Sequence, residues 1–177
     1  MRPLLLIFFL PVFSFAQRDS IPFHFHTEKR TSLVIGYNFN FGKSDREDTL
    51  RTKFHFLEVG IWQTKFFFAR HWGGWGYYCT TEIGLNTPRF TLGPKVGAFM
   101  AIGPLVVGND FCWHFNADEQ SLRWAPYFGL GTNRFKLTIN PHLPITNRAF
   151  ASSRGGHLNF SLAVINFARK RTEGIPH

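Results

Sequence analysis

The stretch TTEIGLNTPRFTLGPKVGA, residues Thr80 to Ala98, alternates on both sides of a turn signal at Thr87-Pro88. Ile83, Leu85, Phe90, Leu92, Val96 and Ala98 share one phase. Glu82, Gly84, Thr91, Gly93, Lys95 and Gly97 share the other. Side chains of a strand point to opposite faces with a period of two, so a hairpin here has one apolar face and one face of glycines carrying a single Glu and a single Lys.

The same alternation recurs along the chain. Strands are expected at Arg30–Phe41, Lys53–Gln63, Tyr77–Asn86, Phe90–Ile102, Leu105–Phe115, Leu122–Gly131, Phe135–Asn140 and His157–Phe167, with no helical periodicity between them. The fold class is therefore all-β: a single antiparallel up-and-down eight-stranded barrel. The longest connections fall at one end, and two of the three at the other end are very short. GKSDREDTLRT, NTPR, NADEQS and PHLPITNRAFASSRGG fall at one end, RHWGGWG, Gly103-Pro104 and Thr132-Asn133 at the other. Long loops on one side and short turns on the other are the pattern of transmembrane barrels of the bacterial outer membrane.

The N-terminus points the same way. MRPLLLIFFLPVFSFAQ has a charged start, an apolar run and a small-x-small site, so residues 1–16 read as a cleaved signal peptide. The run is too short for a helix that crosses a bilayer. Residues 17–29 read as a flexible lead, 30–167 as the barrel and 168–177 as a basic periplasmic tail. At 177 residues the chain is one domain. Its net charge of +9 comes without a long Lys/Arg run or a recognition module, so nucleic acid is not the expected partner. The expected partner is outer-membrane lipid, with the chain a monomer.

Glycines choose between the faces. Gly36, Gly60, Gly84, Gly93, Gly97, Gly108, Gly129 and Gly131 share the less apolar phase. An eight-stranded lumen is narrow and filled by side chains, which favours small residues there. Leu, Ile, Val, Phe and Trp then face lipid. Phe66, Phe67, Phe68, Trp72, Trp75, Tyr77 and Tyr78 at one end, with Trp113 and Trp124 at the other, read as interfacial girdles. The opposite choice of faces gives a soluble periplasmic lipocalin-like barrel with an apolar ligand inside.

Turn positions set the register. Leu85 pairs with Phe90, Glu82 with Gly93, Ile102 with Leu105, Asp110 with Gly97 and Cys112 with Lys95. Across NADEQS, Phe115 pairs with Leu122, Trp113 with Trp124, His114 with Arg123 and Asp110 with Tyr127. Lys95 then points into the lumen with Glu82 and Asp110 as diagonal neighbours. Glu58, Arg123, Tyr127 and Lys136 share that inward phase. Three acids and three bases balance, and buried charges need such partners, so an ion-pair network closing the lumen is expected. Cys79 faces out and Cys112 in, so both are expected as free thiols. A two-residue turn at Gly73-Gly74 puts the second and third strands out of phase, so a bulge or longer loop lies near Phe66–Trp75.

These features together resemble small eight-stranded outer-membrane barrels of the OmpA/OmpX type, and the SFA-Q site is similar to those of exported Bacteroidota proteins. The resemblance is architectural and spans about Arg30 to Phe167. In such barrels a final-strand Phe often serves as an assembly signal. Phe167, closing HLNFSLAVINF, is similar, with ARKRTEGIPH after it.

No cofactor or metal is expected: His24 and His26 lie on one side of an extended segment without a third ligand nearby. His114 and Arg123, with Asp118, Glu119 and Ser121, form the one candidate catalytic group, and it has no motif behind it. An enzyme, a lipid-modifying one, is the minor reading. The favoured role is structural, or binding of an extracellular ligand through loops 42–52 and 141–156. A narrow transporter of small apolar solutes is the remaining alternative.

Overall fold

Alternation every second residue becomes wall and filling. The computed structural model describes residues 25–41, 53–68, 72–150 and 155–174. Nine strand segments follow in chain order: β1 (Phe25–Asn40), β2 (Phe54–Phe68), β3 (Gly73–Gly84), β4 (Leu92–Ile102), β5 (Leu105–Phe115), β6 (Gln120–Gly131), β7 (Phe135–Asn140), β8 (Leu143–Pro144) and β9 (His157–Gly174). All pairings are antiparallel, and β7 and β8 both lie along β6, as one stave interrupted at Pro141-His142. Each stave is bonded to its neighbours in sequence, and β9 returns to β1, so eight staves close a barrel. There is no helix among the described residues.

Hydrogen-bonded neighbours traced once around the wall give its stagger. Thr27 leads to Phe67, Gly73, Ile102, Leu105, Leu130, Leu137, Phe160 and then Tyr37. The path returns to β1 ten residues from its start. For eight strands at ordinary spacing, that shear corresponds to a tilt of about 41° and a radius of about 8 Å. Such a lumen has room for side chains and little else.

Burial follows the expected phases. Glu82, Thr91, Lys95, Asp110, Cys112, Arg123, Tyr127 and Lys136 are buried, while Val96, Met100, Val107, Phe111, Phe128 and Phe160 are exposed. The β4–β5 hairpin has the expected register, Ile102 opposite Leu105 and Asp110 opposite Gly97. Gly103 takes φ 55° at its first turn position, the backbone that a two-residue hairpin with leading glycine requires.

Two expected pairings are corrected. The β5–β6 register is shifted by two residues: Phe115 faces Gln120, Trp113 faces Leu122, His114 faces Ser121 and Asp110 faces Ala125. The cause is a tighter turn, in which the Asn116 side chain accepts hydrogen bonds from the backbone N–H groups of Asp118 and Glu119. A shift of two keeps every side chain on its expected face. Next, Leu85 does not pair with Phe90; its N–H donates to the His55 carbonyl at 2.8 Å, and β3–β4 pairing ends at Ile83–Leu92. β2 and β3 pair without a bulge, so the longer-loop alternative holds, between Phe67 and Gly73. Last, the wall outruns the limits 30 and 167. β1 begins at Phe25, and β9 continues to Gly174 opposite it; Glu28 pairs with Arg169 on this extension and with Arg30 on its own strand.

The girdle is also partly reassigned. Phe67, Trp75, Tyr77, Trp113 and Trp124 face outward, but Phe66 and Tyr78 are buried in the lumen. The expected signal peptide 1–16, most of the lead, loop 42–52 and the end of the tail lie outside the described residues, as do His24 and His71.

Cys79 is exposed on the outer wall and Cys112 is buried in the lumen, both as free thiols. In the folded protein a small alkylating reagent is expected to modify Cys79 alone, and Cys112 only after unfolding. Mass spectrometry checks this; equal labelling of both in the folded state contradicts the inward placement of Cys112.

Candidate functional site

The lumen is filled in layers. Near the end that carries the Gly103-Pro104 turn, Val34, Trp62, Phe66, Phe99, Ala101 and Val106 pack into an apolar cluster that Tyr78 and Tyr127 join. Above it sits Lys136. Its Nζ lies 3.9 Å from the Tyr78 ring centroid, 4.8 Å from that of Tyr127, 5.6 Å from Phe99 and 5.7 Å from Trp62. It also donates to the Tyr127 hydroxyl at 3.5 Å. Aromatic faces carry negative charge density, so this cage solvates an ammonium without a carboxylate in contact.

The next layer holds the ion pairs. Lys95 Nζ donates to Glu58 Oε2 and to Glu82 Oε1, each at 2.9 Å. Glu58 Oε2 also accepts from Asn159 Nδ2 at 2.7 Å and Asn38 Nδ2 at 3.3 Å. Ser161 donates to Asn159 Oδ1 at 2.8 Å. Asp110 is served separately, by the Tyr78 hydroxyl and by Asn140 Nδ2 at 3.3 Å. Glu58 and Asp110 therefore each keep two or more donors, and Glu82 has Lys95, the condition for an ionised group away from water.

The expected network is thus present but differently wired. Glu58, Glu82, Lys95, Asp110, Arg123, Tyr127 and Lys136 all face the lumen. Lys95 pairs with Glu82 as expected, and with Glu58 in place of Asp110. Register alone names neighbours on adjacent strands, whereas a lysine in so narrow a lumen reaches across two. Arg123 turns toward the mouth, where Nη2 donates to the carbonyls of Phe150 at 3.2 Å and Asn147 at 3.5 Å. Asn38, Asn140 and Asn159 were not expected in the network, although each sits on an inward phase in the sequence.

Two glycines make room for this chemistry. A Cβ on Gly97 would lie 2.2 Å from Asp110 Oδ1 and 2.6 Å from the Tyr78 hydroxyl. On Gly108 it would lie 2.6 Å from the Tyr127 hydroxyl.

The mouth is closed by the segment after β8. Phe150 is buried, its ring 6.2 Å from that of His114. Ser121 donates to the carbonyls of Thr146 at 2.9 Å and Asn147 at 3.1 Å. The candidate catalytic group is dispersed by these contacts. Ser121 is engaged by the loop, His114 Nε2 faces Glu82 Oε2 at 2.9 Å, and Asp118 pairs with Arg89 on the surface. Outside the lumen, an open cleft of about 640 Å³ lies between Arg89, Phe90 and Leu92 on one side and Phe115 to Asp118 on the other. No protein-family model, curated protein or solved structure matches the chain.

Lys95→Ala is expected to destabilise the barrel by about 3–5 kcal/mol, because it leaves Glu58 and Glu82 buried without their shared cation. Lys136→Met, which keeps the packing among the four rings, is expected to cost less, about 1–2 kcal/mol. Denaturant unfolding in detergent measures both. A Lys95→Ala cost no greater than that of Lys136→Met contradicts the assignment of the central cation.

Proposed function

We propose that this chain is a monomeric outer-membrane β-barrel with a closed, ion-paired lumen, serving as a structural element or binding a ligand through its outer loops. One observation carries the reading: the distribution of polarity is inverted relative to a water-soluble domain. The fully buried side chains include Arg123, Glu58, Glu82, His114, Asn38 and Asn140. The exposed ones include Ile61, Val96, Met100, Ile102, Leu105, Val107, Phe128 and Ile165, each more than half exposed. They come from strands all around the wall, so the apolar surface is a belt and far exceeds the few hundred Å² that soluble monomers expose. A belt of this kind matches the hydrocarbon layer, where a closed barrel leaves no backbone edge unpaired across the bilayer.

A soluble barrel for an apolar ligand requires the opposite arrangement, an apolar lumen. A transporter requires a path, whereas the ion pairs, the ring cage and Phe150 fill successive layers of this one. The cleft between the β3–β4 connection and the β5–β6 turn supports loop-mediated binding. It combines Phe90, Leu92 and Phe115 with charged groups at its rim. It lies beside the loops expected to bind rather than on them.

Expression of the full chain, membrane separation and electrophoresis with and without boiling test the location. A heat-modifiable band in the outer-membrane fraction is expected. A soluble periplasmic protein lacking that behaviour overturns the proposal. In liposomes the purified barrel is expected to give no solute flux; swelling with small solutes overturns the closed lumen.

A further inference from the structure

We propose that Glu82, Cys112 and His114 form a binding site for a borderline-soft divalent cation of the zinc class inside the upper lumen. The three come from β3 and β5, and β4 runs between them. Glu82 faces Gly93 across the β3–β4 ladder, and Cys112 faces Lys95 across β4–β5. Gly93 has no side chain to separate the carboxylate from the imidazole. A Cβ there would lie 2.7 Å from His114 Cδ2 and 3.2 Å from Cys112 Sγ.

The donor atoms converge on one point. His114 Nε2 lies 2.9 Å from Glu82 Oε2 and 3.4 Å from Cys112 Sγ. All three donor atoms lie within 4.8 Å of one another. Zinc at its usual distances from S, N and O spaces neighbouring tetrahedral ligands by roughly 3.3–3.8 Å, so the two separations from His114 Nε2 need to change by less than about half an ångström. A mixed S, N, O set favours zinc-like ions over calcium or magnesium, which take oxygen alone. Lys95 holds the far oxygen, Oε1, of the same carboxylate at 2.9 Å, which leaves Oε2 for the ion and fixes the carboxylate's orientation.

The alternative use of these side chains is a cysteine nucleophile with a histidine base. That arrangement needs both ring nitrogens, one for the nucleophile and one for the orienting acid. Here Cys112 and Glu82 both approach Nε2, and Nδ1 is buried without a hydrogen-bond partner. Convergence on a single nitrogen is what a shared cation requires. The three protein ligands leave a fourth position open, on a site whose near neighbour is His142, ring centroid 5.8 Å from that of His114.

The test uses the full chain with Cys79→Ser, in which Cys112 is the only thiol. The protein is refolded in detergent with cobalt(II), freed of excess metal and examined by absorption and metal analysis. One retained cobalt with a thiolate-to-cobalt charge-transfer band is expected. His114→Gln in that background is expected to weaken retention by more than about tenfold. Retention without a thiolate band, no retention, or His114→Gln binding as tightly as its parent each overturns the site. Circular dichroism confirms strand content in each sample. Because the readout is made in detergent, it stands apart from the question of membrane location.

Discussion

Everything inside this barrel follows from one constraint: a carboxylate in a lumen about 8 Å in radius must find its donors in the protein. Glu58 and Glu82 face each other across the β2–β3 ladder and repel. Lys95, one strand further on, bonds both and makes the pair tolerable. The remaining lone pairs are met by Asn159 and Asn38 on one side and by His114 on the other. The inward asparagines, the glycines across from long side chains and the loop that seals the mouth are consequences of satisfying those charges in a confined space.

Lys136 shows a second solution to the same problem. It lies too far from any described carboxylate for an ion pair and is instead boxed by four aromatic rings. Two of those rings, Tyr78 and Tyr127, carry hydroxyls that reach upward, Tyr78 to Asp110 and each to the other at 3.1 Å. The tyrosines thus join the apolar plug below to the charged layer above. A barrel filled only with ion pairs would lack this plug, and one filled only with hydrocarbon would offer the charges no partners.

Much of this wall is legible in the sequence because parity survives error. The faces of Glu82, Lys95, Asp110 and Arg123 depend only on even or odd position, so a two-residue slip at the NADEQS turn leaves them unchanged. Tight turns with one geometry, such as Gly103-Pro104, fix their register outright. What stays hidden is what spans distance. The Glu58–Lys95 bond joins strands that are not neighbours, and the meeting of Glu82 with His114 depends on the absence of a side chain at Gly93. The Asn116 turn was hidden for a different reason: a side chain capping its own loop competes with strand residues for the same segment.

β9 shows where strict alternation fails and why. In SLAVINFAR, a period of two would turn Ile165 and Phe167 inward and leave Asn166 facing out. The pairing with β1 slips twice instead, between Leu33 and Val34 and between Thr31 and Ser32, so that Val164 and Phe167 are each an extra residue without a partner. Each bulge reverses the phase once. Leu162, Val164, Ile165 and Phe167 are all exposed as a result, while Asn166 turns in to accept a hydrogen bond from Ser32 at 2.8 Å. The second bulge restores the original phase. That directs Arg169 to Glu28 at 2.8 Å, where it shares the carboxylate with Arg30. Two bulges therefore sort a run that no regular strand can sort, turning its apolar groups outward and bringing Asn166 and Arg169 to Ser32 and Glu28 on β1. Pairing of Ala168–Gly174 with β1 leaves Phe167 within the strand, which ends seven residues later at Gly174.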